Sequence, residues 1–233
     1  RSVSAFLLNR SSDLLVVRTS STNGITDSTV NVKSGSVIAL DGSAIGSNCT
    51  ANIIGGTVTG TSVAIDTTTV NVSGGTVSAP VAIISTNTSI SGGTINGTTN
   101  GVITDTITMN GGIINSSEGI GLTVNTEGTI TGGEVYGATY GVLNKNTLTL
   151  GSDDGSITSL SPVLEGQLFG LYIEGDNTNF YEGILKGQND GYYGTITGTP
   201  LGGVIGEGVE NRVDNVVYQT DFVTEFEGWL RIG

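Results

Sequence analysis

Histidine is absent from this 233-residue chain, which has one cysteine, three prolines and only eight lysines and arginines. Without histidine there is no imidazole general base, no Ser-His-Asp relay and no imidazole metal ligand. Cys49 stands alone, so no intrachain disulfide and no cysteine-rich zinc or iron–sulfur site can form. It reads as a small core or turn residue. The eight basic side chains face 21 acidic ones, giving a net charge of −13 and a pI near 4.1. Phosphate binding needs clustered positive charge, so this balance argues against nucleic acid and anionic membrane as partners. No apolar run approaches the ~18 residues of a membrane span. The chain starts at Arg1 rather than Met, which fits removal of a leader.

What is present is small and polar. Gly, Thr, Ser and Asn make up 114 residues, and charged residues are only 12%, against about 25% in ordinary globular domains. Disordered chains share that poverty of apolar residues. Here, however, the apolar residues are β-branched and evenly spaced, which disorder does not require.

The spacing is a repeat. Gly-Gly recurs at Gly55-Gly56, Gly74-Gly75, Gly92-Gly93, Gly111-Gly112 and Gly132-Gly133, at intervals of 19, 18, 19 and 21 residues. A degenerate copy stands at Ser34-Gly35, and later ones are read at Asp154-Gly155 and Glu182-Gly183. Two residues before each pair lie Val32, Ile53, Val72, Ile90, Met109, Ile130 and Phe180. Three residues after its first member lie Val37, Val58, Val77, Ile95, Ile114, Val135, Ile157 and Leu185. A second apolar patch follows, from Val63 and Ile65 to Leu171 and Ile173.

Short β-branched segments alternating with small polar residues are half-buried strands, and Gly and Asn turn the chain between them. A unit this short holds no βαβ repeat and shows no helical stripe. The expected fold is all-β: a single-stranded parallel β-helix, right-handed, whose equivalent residues stack ~4.8 Å apart. Seven to eight coils are expected over residues 30–200, with a strand or hairpin cap or exchanged arm at 1–29 and a strand-rich cap at 201–233.

Composition shifts along the chain. No Lys or Arg lies between Lys33 and Lys145, and twelve of the thirteen aromatics fall after residue 135. The first segment is apolar (Phe6, Leu7, Leu8, Leu14, Leu15, Val16), and the last carries Phe222, Phe226 and Trp229. Solenoid ends must be covered or matched. These two ends are therefore the expected interface of a head-to-tail homopolymer, since a heterologous contact that does not close makes an open fibre.

Residues 148–200, with "NFYEGILKG" at 179–187, resemble Gly/Thr/Asn-rich right-handed parallel β-helix proteins that Gram-positive anaerobic bacteria secrete or display. The resemblance spans roughly residues 50–200. It implies an extracellular or cell-surface location and no particular reaction, because that family is mostly uncharacterised.

Many β-helices degrade polysaccharides, using a basic side chain with calcium or an acidic cluster with histidine. The base-free stretch and the missing histidine point instead to a non-enzyme. Asp153-Asp154 sits in a Gly-flanked turn that favours Asp for local hydrogen bonds. No cofactor is expected. Asp153, Asp154, Glu174, Asp176, Asn177 and Asp190 offer the oxygens a calcium ion would take, but the nonapeptide calcium repeat is missing. Tyr136, Tyr140, Tyr172, Tyr181, Tyr192, Tyr193 and Trp229 are candidate sugar-stacking residues. Six Asn-x-Ser/Thr sequons occur (Asn9, Asn48, Asn71, Asn87, Asn96, Asn115), close to the number chance gives in such a composition. A Thr57, Thr76, Thr94 ladder of the ice-binding type breaks at Ile113 and Glu134. The leading expectation is an extracellular structural protein that assembles with itself into a filament or surface fibre. The alternative is a monomeric adhesin or glycan-binding module.

Overall fold

Alternation of buried and exposed residues runs through nearly every strand, so one side of each strand needs a core and the other takes water. The computed structural model describes residues 16–20, 22–153, 161–206 and 212–219, and among them there is no helix. All sixteen strands join one sheet that winds for about nine turns as a parallel β-solenoid.

Each full turn has three faces. Face A holds Thr29–Val32, Thr50–Ile53, 69–72, 106–109, 127–130, Thr147–Leu150 and Asn177–Phe180. Face B follows the Gly-Gly turn. It runs from Val16–Thr19 through Ser36–Ala39, Thr57–Thr59, 76–78, 113–116, 134–137, Val163–Gly166, Ile184–Gly187 and Val204–Gly206 to Val217–Gln219. Face C includes Tyr140–Asn144, Phe169–Ile173 and Asp190–Tyr193, and begins as single bridges at Ile25, Ile45 and Ile65.

The repeat columns become the core. Val32, Ile53 and Val72 lie in register, as do Met109, Ile130, Leu150 and Phe180. On face B, Val37, Val58 and Val77 stack, and further along Ile114, Val135, Leu164, Leu185 and Ile205. One expectation changes. Leu164, not Ile157, takes the core place of face B between Val135 and Leu185, since the next described strand of that face after 134–137 is Val163–Gly166. Asp154 and Ile157 lie outside the described residues. Val16–Thr19 pairs in parallel with Ser36–Ala39 and Val217–Gln219 with Val204–Gly206, so the described strands of both expected cap segments find backbone partners in the ladder of face B.

Two glycine columns shape the coil. The second glycine of each pair has a left-handed φ, for example +75° at Gly75, and a Cβ there would lie 2.7 Å from the Gly56 carbonyl oxygen one coil away. The column that the repeat did not reveal stands at the corner from face B to face C. At Gly137, Gly166 and Gly187 a Cβ would fall 1.8 to 2.0 Å from the carbonyl oxygen three residues on.

The outward rows of face A are almost uniform. Thr29, Thr50 and Thr69 stand beside Asn31, Asn52 and Asn71, and the asparagines form a ladder in which Asn52 and Asn71 each donate to the preceding rung at 2.8 Å. Further along, Thr108, Thr129, Thr149 and Asn179 continue one row, and Glu127 interrupts the other. At the corner from face C to face A the core is polar but satisfied. Ser85, Thr88 and Thr104 share hydrogen bonds, and Asn144 Nδ2 donates to Thr178 Oγ1 at 2.9 Å. Cys49 lies at this corner too, its Sγ 3.2 Å from the Ile25 carbonyl and its N–H donating to Thr67 Oγ1. Burial pushes its thiol up from the ordinary value.

Candidate functional site at the corner of faces B and C

A cleft of about 490 Å³ opens on face B, against the corner to face C, where the coil sequence turns aromatic and charged. Its floor is part of an outward row in register, Tyr136, Glu165 and Lys186, which Asn115 precedes one coil earlier. The row exists because position i+2 in a strand returns to the same face. Glu134 is two residues from Tyr136 on the same strand, and the Tyr136 hydroxyl donates to Glu134 Oε2 at 2.6 Å. Burial, then that hydrogen bond, raises the Tyr136 pKa well above a free phenol. The ring is thus anchored and stays protonated.

Lys186 Nζ lies 3.4 Å from Glu165 Oε2, with both side chains partly exposed. A pair of that kind contributes about 0–1 kcal/mol, so little opposes its rearrangement onto a ligand. The rim is made by the corner residues: Ser116 and Ser117 on one coil, Ala138 on the next, and Gln167 and Gln188 on the two after that, the glutamines exposed. Gly166 and Gly187 keep the wall free of side chains.

Around the corner, face C carries an aromatic stack. The rings of Tyr140, Tyr172 and Tyr193 lie at centroid distances of 4.6 and 4.9 Å, tilted by only 23° and 14°. That is the strand spacing, about 4.8 Å. Phe169 packs beside all three, at 5.6 to 6.0 Å. Tyr172 is covered on both faces by its neighbours, whereas Tyr193 is 53% exposed. Leu168, in the corner itself, is 40% exposed.

The structure therefore sorts the expected sugar-stacking residues. Tyr136 lines the cleft at the corner, and Tyr193 is exposed at the end of the face C strand Asp190–Tyr193. Tyr140 and Tyr172 stack on each other. Tyr192 is a correction: it is 1% exposed, in register with core Leu171, because alternation along Asp190–Tyr193 turns it inward. Tyr181 lies at the turn after face A, away from the cleft lining. Glu165, Gln167, Lys186, Gln188 and Phe169 were not singled out in the sequence. The usable signal was the corner column itself, Gly137, Gly166 and Gly187 each followed three residues on by Tyr140, Phe169 or Asp190.

Of the expected assembly residues, Val16 is described and is 39% exposed on the first strand of face B. Phe6, Leu7, Leu8, Leu14, Leu15, Phe222, Phe226 and Trp229 lie outside the described residues, as does Asp154 of the calcium set. Among the described residues, no group of three or more His, Cys, Asp or Glu is placed to hold a metal. No helix among them is long and apolar enough to cross a membrane. No protein-family model, curated protein or solved structure gives a significant match to the chain.

Proposed function

We propose that the protein is an extracellular, non-catalytic glycan-binding module that uses the cleft at the corner of faces B and C. The observation that carries this is the composition of the cleft: one anchored aromatic ring, Tyr136, beside hydrogen-bonding side chains with both donors and acceptors, Glu165, Lys186, Gln167 and Gln188. Sugars present hydroxyls to such planar polar groups and C–H faces to rings, and a concave site with a few convergent polar groups is where a small ligand is held. Burial and the bond to Glu134 hold the Tyr136 phenol protonated, so Tyr136 itself is not a general base. The extracellular placement rests on the resemblance of residues 148–200 and on the acidic, Thr/Asn-rich surface. A glycan array probed with the wild type and Tyr136→Ala is the test. Binding that the variant loses, at an unchanged unfolding midpoint, is expected. Equal binding by both would remove the cleft from the account.

A second reading, head-to-tail assembly into a filament, is favoured by one observation. The first and last described strands, Val16–Thr19 and Val217–Gln219, belong to the same parallel column of face B, so another copy can continue it without a change of direction. Electron microscopy of concentrated protein should show fibres, and deletion of residues 1–23 should abolish them. A monomer at high concentration, with that deletion lowering only stability, ends this reading.

A further inference from the structure

We infer that the ligand of the corner is an uncharged oligosaccharide, not a uronic-acid or sulfated one, and that its chain runs from the cleft across the corner to Tyr193. This rests on the glycan-binding reading above and goes beyond it in naming the charge and the path of the ligand. Charge decides the first part. Lys186 is the one basic side chain among the described residues lining the cleft, and Glu165 already neutralises it. Glu134 adds a second carboxylate beside the Tyr136 hydroxyl. The whole chain carries −13. An anionic glycan would meet two carboxylates against one ammonium, in a field of its own sign.

Exposure decides the path. The cleft and the aromatic stack are joined by the corner segments Gln167–Leu168 and Gln188–Asn189, which are exposed. Leu168 and Tyr193 are two of the few large apolar side chains exposed among the described residues; Leu168 follows Gln167 at the corner, and Tyr193 ends the face C strand Asp190–Tyr193. Tyr193 lies in register with Tyr172, and its ring is 5.6 Å from Phe169. Tyr136 and Lys186 are two rungs apart in the ladder, about 9.6 Å along the axis at the strand spacing, and Tyr193 follows on the coil of Lys186, so a ligand touching both Tyr136 and Tyr193 must be an oligomer.

The test is calorimetric titration with short and long oligomers of glucose, xylose and mannose, and with galacturonic-acid and sulfated oligomers, at low and high salt. Neutral oligomers should bind, and the acidic ones at least about tenfold more weakly at low salt, with a smaller gap at high salt. Long neutral oligomers should bind about tenfold tighter than short ones. Tyr193→Ala, and separately Leu168→Ser, should remove that gain while leaving short-oligomer binding intact. Acidic oligomers binding as well as neutral ones, or a length gain that survives both variants, overturns this inference and leaves the glycan-binding reading standing. Absence of binding by any oligomer to the wild type overturns both.

Discussion

A Cβ added to Gly75 would need both a left-handed backbone and space that the Gly56 carbonyl occupies. Gly75→Ala should therefore lower the unfolding free energy by about 1–3 kcal/mol, read from denaturant melts. Thr108→Ala, on the outward row of face A, should stay within about 0.5 kcal/mol. Equal effects would mean the turn is looser than its stacking implies. The phenols of Tyr136 and Tyr192 make a second prediction. Both are raised by burial, Tyr136 further by Glu134 and Tyr192 by its neighbour Tyr218. Their folded pKa values exceed the unfolded value of about 10. Their contribution is thus complete below about pH 10 and is lost as the pH rises through the folded values. Stability should fall in that alkaline window, and Tyr136→Phe should make the fall shallower. An identical slope in the variant would show that the phenol is not held. Glycine roles of the first kind were legible in the sequence because Gly-Gly repeats as a pair. The corner glycines were not, since single glycines at Gly137, Gly166 and Gly187 do not stand out among 38.

Strands are the elements here, and their inward columns could be read directly from spacing. Val72, Met109 and Ile130 were placed correctly because the coil length hardly varies before residue 150. Leu164 holds the place expected for Ile157, because more residues separate Leu150 from the next described strand of face B, Val163–Gly166, than separate the same columns in earlier coils. Hydrophobic periodicity reports which residues face inward, not how long a turn is. Met109, fully buried between coils, offers a direct test of the column. Met109→Ala should cost about 2–5 kcal/mol, through lost burial and the cavity left behind. A loss under about 1 kcal/mol would mean that the column does not carry the core. The outward side of the same strands was legible only as composition. Thr-x-Asn recurs at 29–31, 50–52 and 69–71, yet that the asparagines hydrogen-bond from rung to rung required the register.

At the scale of the whole molecule, the chain is uneven along its axis. The early coils are nearly uncharged, and their outward rows are Thr, Ser and Asn. Aromatic and charged side chains enter from Tyr136 onward, and the cleft and the stack form where they begin. This shift is visible in the sequence, and its tyrosines stand out there as sugar-stacking candidates, but aromatic content alone does not separate Tyr192, inside the core, from Tyr193, on the surface. That distinction needs the strand phase of Asp190–Tyr193. The register of Val163–Gly166 with Ile184–Gly187 puts Glu165 and Lys186, residues from different coils, side by side. The central claim is that this corner holds a saccharide. A crystal structure with a neutral oligosaccharide tests it most directly. The account expects the sugar between Tyr136 and the Gln167 and Gln188 side chains, with the chain leaving toward Tyr193. A sugar seated instead on face A, or a cleft that stays without sugar while the protein binds it in solution, would contradict it.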